Sequence, residues 1–193
     1  MDQDESISGT LLQRVRENDG RAWERLVTVF GPLVRSWAVR GQVRGGDVDD
    51  VVQEVFAKVS KSLEGFRRDR PGDTFLGWLR TIVRHRIADY HTGKGEHPVG
   101  GTQAHALLEQ LPEDGETETL DPDSTAGLVR RTLAELRDEF EPQTWQAFEA
   151  TTIDSQRTDL VATRLGMSVG AVYVAKSRVL KRLRDELQGI LEI

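Results

Sequence analysis

Apolar residues recur along this chain at spacings of three and four residues, which is the period of an amphipathic α-helix. No convincing stretch alternates apolar and polar residues as a half-buried β-strand does. The fold class is therefore predicted to be all-α. The first group of helices is predicted to bury Leu11, Leu12, Val15, Trp23, Leu26, Val27, Phe30, Val51, Val52, Val55, Phe56, Val59, Phe75, Trp78, Leu79, Ile82, Val83 and Ile87.

Residues that start and stop helices divide this first group. The run Asn-Asp-Gly at positions 18–20 is expected to end the first helix. Pro32 is expected to open a separate helix over residues 33–39, because proline is favoured in a first helical turn. A glycine-rich break precedes Asp47, which is predicted to cap the next helix together with Asp50 in an arrangement like a capping box.

The apolar period disappears over residues 93–127, which are rich in Gly, Pro, Thr, Glu and Asp. We interpret this stretch as a flexible acidic linker with one short helix over residues 104–111. The predicted organisation is two small helical domains: an N-terminal tail (1–10), a first domain (11–92), the linker (93–127) and a second domain (128–193). The predicted core of the second domain contains Leu133, Leu136, Phe140, Trp145, Phe148, Leu160, Val161, Leu165, Val172, Val179, Leu183 and Leu187.

The distribution of charge is more informative than the net charge of −6. Residues 96–125 contain eight acidic residues and no Lys or Arg. Residues 156–184 contain seven basic residues against one acidic residue, and residues 64–94 contain seven against four. Two basic regions separated by an acidic connector favour a nucleic-acid-binding protein.

Composition excludes several other classes of protein. The chain has no cysteine, which excludes disulfides and thiolate metal sites. No apolar run approaches the roughly 20 residues that span a bilayer. The first ten residues are acidic and polar, unlike an export signal. The expectation is a soluble, cytoplasmic protein without direct membrane insertion.

The strongest local signal lies between residues 158 and 178. A DNA-reading helix-turn-helix needs a small residue where its helices cross, a glycine in the turn and apolar residues that lock the pair. Ala162, Gly166, the capping residue Ser168 and Val172 match this spacing. An ordinary helical hairpin is the alternative interpretation. The helix after Ser168 is basic in its later half, where Arg182 and Arg184 also suit the helix dipole.

Two motifs in the first domain resemble regions of a known family. Residues 47–56, Asp-Val-Asp-Asp-Val-Val-Gln-Glu-Val-Phe, closely resemble the acidic helix that sigma factors present to the largest RNA polymerase subunit. Residues 75–84, in a helix predicted over about residues 74–90, are similar to the family's F-x-x-W-L-x-x-I-x-x-N helix. With the helix-turn-helix in its expected place, the chain is identified as a member of the extracytoplasmic-function type of the sigma-70 family.

This resemblance implies an initiation subunit of RNA polymerase and not an enzyme, with no catalytic residue, metal or cofactor. The first domain, sigma domain 2, would bind the clamp helices of the core polymerase and melt the −10 element, which it holds as single strands. The second domain, sigma domain 4, would bind the polymerase flap and read the −35 element as duplex. The linker would thread towards the RNA exit channel or act as a plain solvated tether. An anti-sigma factor is a further expected partner.

The resemblance also predicts three sets of site residues. The core-polymerase set is Asp49, Asp50, Gln53 and Glu54, although Asp50 also suits a helix start. The −10 set is Arg67, Arg68, Arg70, Trp78, Arg80, Arg84, His85 and His91, with Trp78 more typical of a core residue than of a base platform. The −35 set is Ser168, Gly170, Ala171, Tyr173, Val174, Lys176, Ser177, Arg178, Lys181 and Arg182.

The chain departs from the family pattern at DNA-reading positions. His85 replaces a usual Asn and His91 a usual Arg, so the preferred −10 sequence is expected to differ. The recognition helix reads Ala-Val-Tyr-Val-Ala from position 171, and its charge is delayed to Lys176. Two arginine contacts to guanine are therefore missing. Reading of the −35 element is expected to depend more on Tyr173, Ser177 and Arg178.

Two alternatives come from other functional classes. A helix-turn-helix regulator that acts without polymerase would leave the motif at residues 47–56 and the helix around Trp78 unexplained. A metalloenzyme would use His85, Asp89 and His91. That site lacks a third ligand of similar context, and the sequence has no nucleophile motif or phosphate-binding glycine loop.

Overall fold

The computed structural model describes residues 10–67, 73–93, 122–188 and 190. These residues form helices joined by turns and contain no β-strand, so the predicted all-α class is confirmed. The α-helices are α1 (Leu11–Arg16), α2 (Gly20–Arg40), α3 (Asp47–Ser62), α4 (Phe75–His91), α5 (Pro122–Leu136), α6 (Pro142–Phe148), α7 (Thr158–Leu165) and α8 (Val169–Leu187). Short 3-10 turns follow α3 (Leu63–Gly65) and α5 (Arg137–Glu139), and a π-helical segment follows α6 (Glu149–Ile153).

Helices α1 to α4 form an N-terminal unit around an aromatic and aliphatic core. Phe30 of α2 meets Phe75 of α4 edge to face, with ring centroids 5.3 Å apart. Trp23 of α2 meets Phe56 of α3 in the same way at 6.2 Å. Helix α2 therefore packs against both α3 and α4, and it fixes the positions of the two helices that carry the family motifs.

The predicted helix break at Pro32 is wrong, because α2 continues through this residue to Arg40. Pro32 has no N–H to donate to the preceding turn, which normally weakens a helix interior. Here Val29, Phe30 and Leu33 on either side of it are buried in the same core. Packing of these side chains keeps the two halves as one helix.

The helix starts are partly as predicted. Thr74 caps α4 by accepting a hydrogen bond from the Gly77 N–H at 3.1 Å. The predicted role of Asp47 as an N-cap is wrong, because the cap position is Gly46 and Asp47 is already the first residue of α3. The Asp47 carboxylate instead accepts a hydrogen bond from the Tyr90 hydroxyl at 3.0 Å. This contact joins the start of α3 to the end of α4.

Helices α5 to α8 form a C-terminal unit. Helix α5 begins at Pro122, several residues before the predicted start of the second domain at residue 128. Residues 94–121 of the predicted linker, including the short helix expected at 104–111, lie outside the described residues. The predicted burial of Leu160 is wrong: its side chain is 61% exposed, since α7 turns Val161 and Ala162 inward instead.

The two units pack against each other. Leu128 of α5, Leu187 of α8 and Ile190 belong to the same apolar cluster as the core of the N-terminal unit. The Arg131 side chain of α5 donates from Nε to the carbonyl of Val29 in α2 at 2.8 Å. Burial lowers the pKa of Arg131, and the neighbouring Arg130 lowers it further.

Candidate nucleic-acid interface

Helices α7 and α8 form the predicted helix-turn-helix. Gly166 ends α7 in the left-handed conformation at φ +63°, which glycine adopts without the steric cost of a side chain. The Met167 N–H then donates to the Ala162 carbonyl at 2.9 Å. Ser168 caps α8 by accepting from the Ala171 N–H at 3.1 Å. The turn geometry is therefore set by the residues that the sequence pattern singled out.

A small apolar core locks the two helices together. Val161 and Ala162 of α7 and Val172 and Ala175 of α8 are all buried in one cluster. The alanines allow close approach of the helix axes, as the crossing point of such a motif requires. Since this cluster takes one side of α8, the opposite side of that helix faces solvent.

The solvent face of α8 carries most of the predicted −35 set. Angular spacing of about 100° per residue places Gly170, Val174, Ser177 and Lys181 opposite Val172, Ala175 and Val179, with Tyr173 and Arg178 on either side of this stripe. Its first two turns are apolar, with exposed Tyr173 and Val174, whereas its later turns are polar and cationic. The exposed members of the predicted set are Ser168, Gly170, Tyr173, Val174, Ser177, Arg178 and Lys181, while Ala171 and Lys176 are half-buried.

Arg182 does not share this face, although it is in the predicted −35 set. Its side chain is only 14% exposed and pairs with Glu139 at 2.8 Å and with Glu186 at 2.6 Å. Both carboxylates also pair with Arg25 of the N-terminal unit. In this arrangement Arg182 is part of the contact between the units and not of the stripe on α8.

Asp159 and Arg157 add a fixed charge pair at the start of α7. Arg157 Nη2 lies 2.7 Å from Asp159 Oδ2, and its hydrogen bonds lower the pKa of the Asp159 carboxyl. The Asp159 carboxylate is therefore charged at neutral pH and forms an ion pair with the Arg157 guanidinium. This pairing reduces the positive potential that Arg157 offers to a phosphate.

The four residues of the predicted core-polymerase set lie together on the exposed side of α3. Asp49, Asp50, Gln53 and Glu54 are exposed, whereas Val48, Val51, Val55 and Val59 of the same helix are buried. The period of α3 thus separates an acidic face from an apolar face. The sequence pattern placed these four residues together, as the structure does.

Two basic residues that the sequence pattern did not single out contact this acidic face. Arg35 of α2 pairs with Asp49, and both side chains are more than half exposed. Arg86 of α4 lies 3.8 Å from Glu54 and 3.6 Å from Asp89. No local signal marks Arg35 or Arg86, because Asp49 and Glu54 lie on a different helix from either arginine. The contact of Arg86 with Asp89 is an ordinary pairing of residues three apart in one helix.

A groove of about 680 Å³ lies between α3 and α4 beside the acidic face. Asp50 and Glu54 line one side together with Lys58 and Lys61 of the same helix. Arg86 and Asp89 of α4 line the other side, with Tyr90 at the end near Asp47. Both signs of charge are present, so the groove does not select an anion or a cation by net charge.

The predicted −10 set is divided between several environments. Arg68 and Arg70 lie outside the described residues, and Arg67 is exposed and donates to the carbonyl of Phe66 at 3.2 Å. Trp78 is half-buried between Phe66 and Phe75, with ring centroids 5.1 and 5.7 Å away. These contacts make Trp78 a packing residue at the edge of the core in this structure.

The remaining members of the −10 set follow α4. His85 is exposed, whereas Arg80 and Arg84 are half-buried at the margin of the buried face. His91 places a ring nitrogen 2.7 Å from the Gly41 carbonyl. A side chain at Gly41 would clash with Ile87, since a Cβ there would lie 2.7 Å from its terminal carbon. The loop after α2 therefore stays close to the end of α4.

Neither a metal site nor a membrane-spanning helix is present among the described residues. The described ranges contain no group of three or more His, Asp or Glu side chains arranged to hold a metal ion, including around His85, Asp89 and His91. Within the same ranges no helix is both long enough and apolar enough to cross a membrane.

Comparison with known proteins shows a match to a family model. Residues 26–96 match the model of Sigma-70 region 2, a segment that contains most of α2 and all of α3 and α4. The ECF RNA polymerase sigma-E factor of Escherichia coli K12 is 36% identical over 88 residues, which are 46% of this chain and 44% of that protein. The match thus spans less than half of that relative. The ECF RNA polymerase sigma factor ShbA of Streptomyces griseus is 29% identical over 190 residues, covering 95% of this chain and 96% of ShbA.

Proposed function

Since this chain belongs to the extracytoplasmic-function type of the sigma-70 family, we propose that it binds core RNA polymerase in the cytoplasm and directs promoter-specific initiation. The observation that carries the proposal is the Sigma-70 region 2 match, because it covers the helices that hold the acidic face and the α4 cations. In this proposal α3 and α4 bind and position other molecules, and the polymerase carries out the covalent chemistry of RNA synthesis.

In this proposal the acidic face of α3 binds the clamp helices of the polymerase. Asp49, Asp50, Gln53 and Glu54 are exposed on adjacent turns, so they can contact one partner surface together. The surface pairs of Asp49 with Arg35 and of Glu54 with Arg86 contribute little to stability at such exposure. Exchange of these partners for basic clamp residues would therefore cost the folded chain little.

The N-terminal unit, with the segment after Arg67, is proposed to hold the melted −10 element. Single-stranded DNA is bound by a positive groove together with surfaces that accept unstacked bases. The cations of α4 and the segment of residues 67–73 provide the positive charge, and exposed His85 and His91 stand at positions where the family pattern differs. In this proposal Trp78 supports the binding surface by packing and does not stack on a base, because its ring is packed between Phe66 and Phe75.

The C-terminal unit is proposed to read the −35 element as duplex through the exposed stripe of α8 and to bind the flap. Residues at the start of a recognition helix contact base edges, and later cations contact phosphates. The acidic segment before α5 is proposed to connect the two units as a linker, and an anti-sigma factor is a further proposed partner. Arg182 joins the phosphate contacts only if the two units separate, since Glu139 and Glu186 hold it here.

The proposal is tested by run-off transcription with core polymerase from the bacterium that encodes the chain, on fragmented genomic DNA. Discrete new transcripts are expected only when the protein is added. The double variant Asp50→Arg/Glu54→Arg should abolish them, because it reverses the charge offered to the clamp. The matched control is Glu17→Arg/Glu24→Arg, which makes the same charge change at two exposed positions, one just after α1 and one in α2, and should preserve the transcripts.

One result would contradict this function: an absence of new transcripts combined with tight binding of duplex DNA by the protein alone, which would indicate a regulator that acts without polymerase. If the natural protein gives transcripts but the test and control variants lose them equally, the sigma function stands and the proposed role of the acidic face of α3 is wrong.

A further inference from the structure

The C-terminal unit exposes an unusual concentration of large apolar side chains. Among the described residues six such side chains are exposed, and five of them lie between Ile153 and Val174. Leu160 and Tyr173 are about as exposed as Ile153, at 61%, 60% and 55%. Exposed apolar side chains that are neighbours on a protein surface mark places where another molecule binds.

Three of the five lie at the start of α8. Val169, Tyr173 and Val174 are exposed at 44%, 60% and 50%. The helical period places Tyr173 and Val174 away from the buried residues Val172 and Ala175, and it places Val169 at the side of the helix, one turn before Tyr173. They therefore form the first two turns of the stripe that would enter the major groove.

The same stripe changes character along the helix. After its apolar first turns come exposed Ser177, Arg178 and Lys181. The apolar start of the stripe can contact methyl groups, and the two cations after it can contact negative charge. The stripe therefore suits a ligand that presents methyl groups beside negative charge. Duplex DNA has both features, because its major groove displays the thymine methyl between two phosphate backbones.

The side chains that recognise other bases are missing from the reading turns. Residues 169–175 contain no Arg, Lys, Asn or Gln, which are the side chains that pair bidentately with guanine or adenine. Thymine is the one base that offers an apolar group in the major groove, and valine and aromatic surfaces contact it favourably.

We infer that this chain reads its −35 element mainly through thymine methyl groups, which contact Val169, Tyr173 and Val174 in the major groove. Arg178 and Lys181 bind the flanking phosphates and hold the helix in register. This inference rests on the proposed function and specifies the base group that the recognition helix contacts. It follows that thymines, and not guanines, should be the bases whose exchange affects −35 binding most.

The test uses the full chain bound to core polymerase and a promoter found in the run-off experiment. Every thymine of the −35 element is replaced by deoxyuridine, which removes the methyl and keeps the base pairing. Holoenzyme affinity for the duplex is measured, and each methyl in contact should contribute up to about fourfold. A matched control promoter carries the same number of deoxyuridines in the spacer between the two elements and should bind as the natural promoter does.

A protein variant locates the contact. Val174→Ala keeps helix propensity and removes exposed methyl groups, so the chain should fold normally while its affinity becomes less sensitive to deoxyuridine. Ile153→Ala removes an exposed apolar group before α7 and should leave that sensitivity unchanged.

The outcomes separate this inference from the function on which it rests. If transcripts appear but their promoters bind equally with thymine and deoxyuridine, the methyl inference is overturned and the sigma function stands. If deoxyuridine has no effect while Val174→Ala abolishes binding of a protein partner, the apolar patch is a protein interface and the inference is again wrong. If no promoter-specific transcript appears at all, both proposals fail.

Discussion

Arg25 in α2 and Glu186 in α8 form an ion pair of 3.1 Å although they are 161 positions apart in the chain. Glu186 is fully buried, and Arg25 also binds Glu139 at 2.6 Å. Arg182 pairs with both carboxylates from the other side, which gives two guanidinium groups and two carboxylates in one network. Burial lowers the pKa of Arg25, but its bonds to Glu139 and Glu186 outweigh that effect and raise it overall. These four residues, the Arg25 network, join the two helical units.

Loss of Arg25 should destabilise the protein strongly. Arg25→Ala leaves Glu139 and Glu186 with one guanidinium to share, and removing one partner of a buried pair costs up to about 3–5 kcal/mol. Urea unfolding monitored by tryptophan fluorescence measures the change in the free energy of unfolding. Arg35→Ala, on the same helix but in an exposed pair with Asp49, should cost at most about 1 kcal/mol. Equal effects of the two variants would contradict a special role for the network.

Charge reversal at the same position should separate the two units. Arg25→Glu places a third carboxylate beside Glu139 and Glu186, and the repulsion acts directly across the contact between α2 and α8. Small-angle X-ray scattering should report a larger radius of gyration for this variant than for the natural protein. Arg25→Glu/Glu139→Arg restores opposite charges and should recover part of the compactness. An unchanged radius in the single variant would show that the apolar contacts hold the units together by themselves.

Asp19 should make stability depend on pH in the acidic range. Its carboxylate binds Arg14 at 2.7 Å and accepts from the N–H of Ala22 at the start of α2, and these contacts lower its pKa below the ordinary 3.8. A carboxyl whose pKa is lower in the folded than in the unfolded chain stabilises the fold above about pH 4, and this contribution is lost as the pH falls through the folded pKa.

Thermal unfolding of the natural protein and of Asp19→Asn tests this dependence. Asn caps helices well but carries no charge, so Asp19→Asn should unfold at a lower temperature near neutral pH, with a difference that shrinks as the pH falls below about 4. Arg14→Gln removes the main partner of Asp19. In that background the unfolding temperatures of the proteins with and without Asp19→Asn should therefore differ less near neutral pH. A difference that is constant over the whole range would rule out the ion pair as its source.

The turn of the helix-turn-helix should require glycine. Gly166→Ala forces a side chain into the left-handed conformation at φ +63° and should cost about 1–2 kcal/mol. The matched control is Gly170→Ala in the first turns of α8, where the added Cβ meets only Ser168 Oγ at 3.9 Å. That variant should be more stable than the natural protein by about 0.5–1 kcal/mol. Circular dichroism during thermal unfolding distinguishes the two results.

Features that depend on near neighbours could be predicted from the sequence. Gly166 and Ser168 occupy the predicted turn and capping positions, because each acts through hydrogen bonds or dihedral angles within a few residues. The exposed acidic face of α3 follows from the helical period alone. The same reasoning failed at Asp47, whose carboxylate binds Tyr90 from another helix.

The sequence by itself determined that the chain is helical, where the helix-turn-helix lies and which side of α3 is acidic. These follow from periodicity, from turn residues and from local capping, all of which act over one or two helical turns. Only the tertiary structure decided that α2 continues through Pro32, that Leu160 is exposed and that Arg182 belongs to the contact between units. The physical reason is that burial and ion pairing depend on residues brought together from distant parts of the chain, and no local pattern encodes those distances.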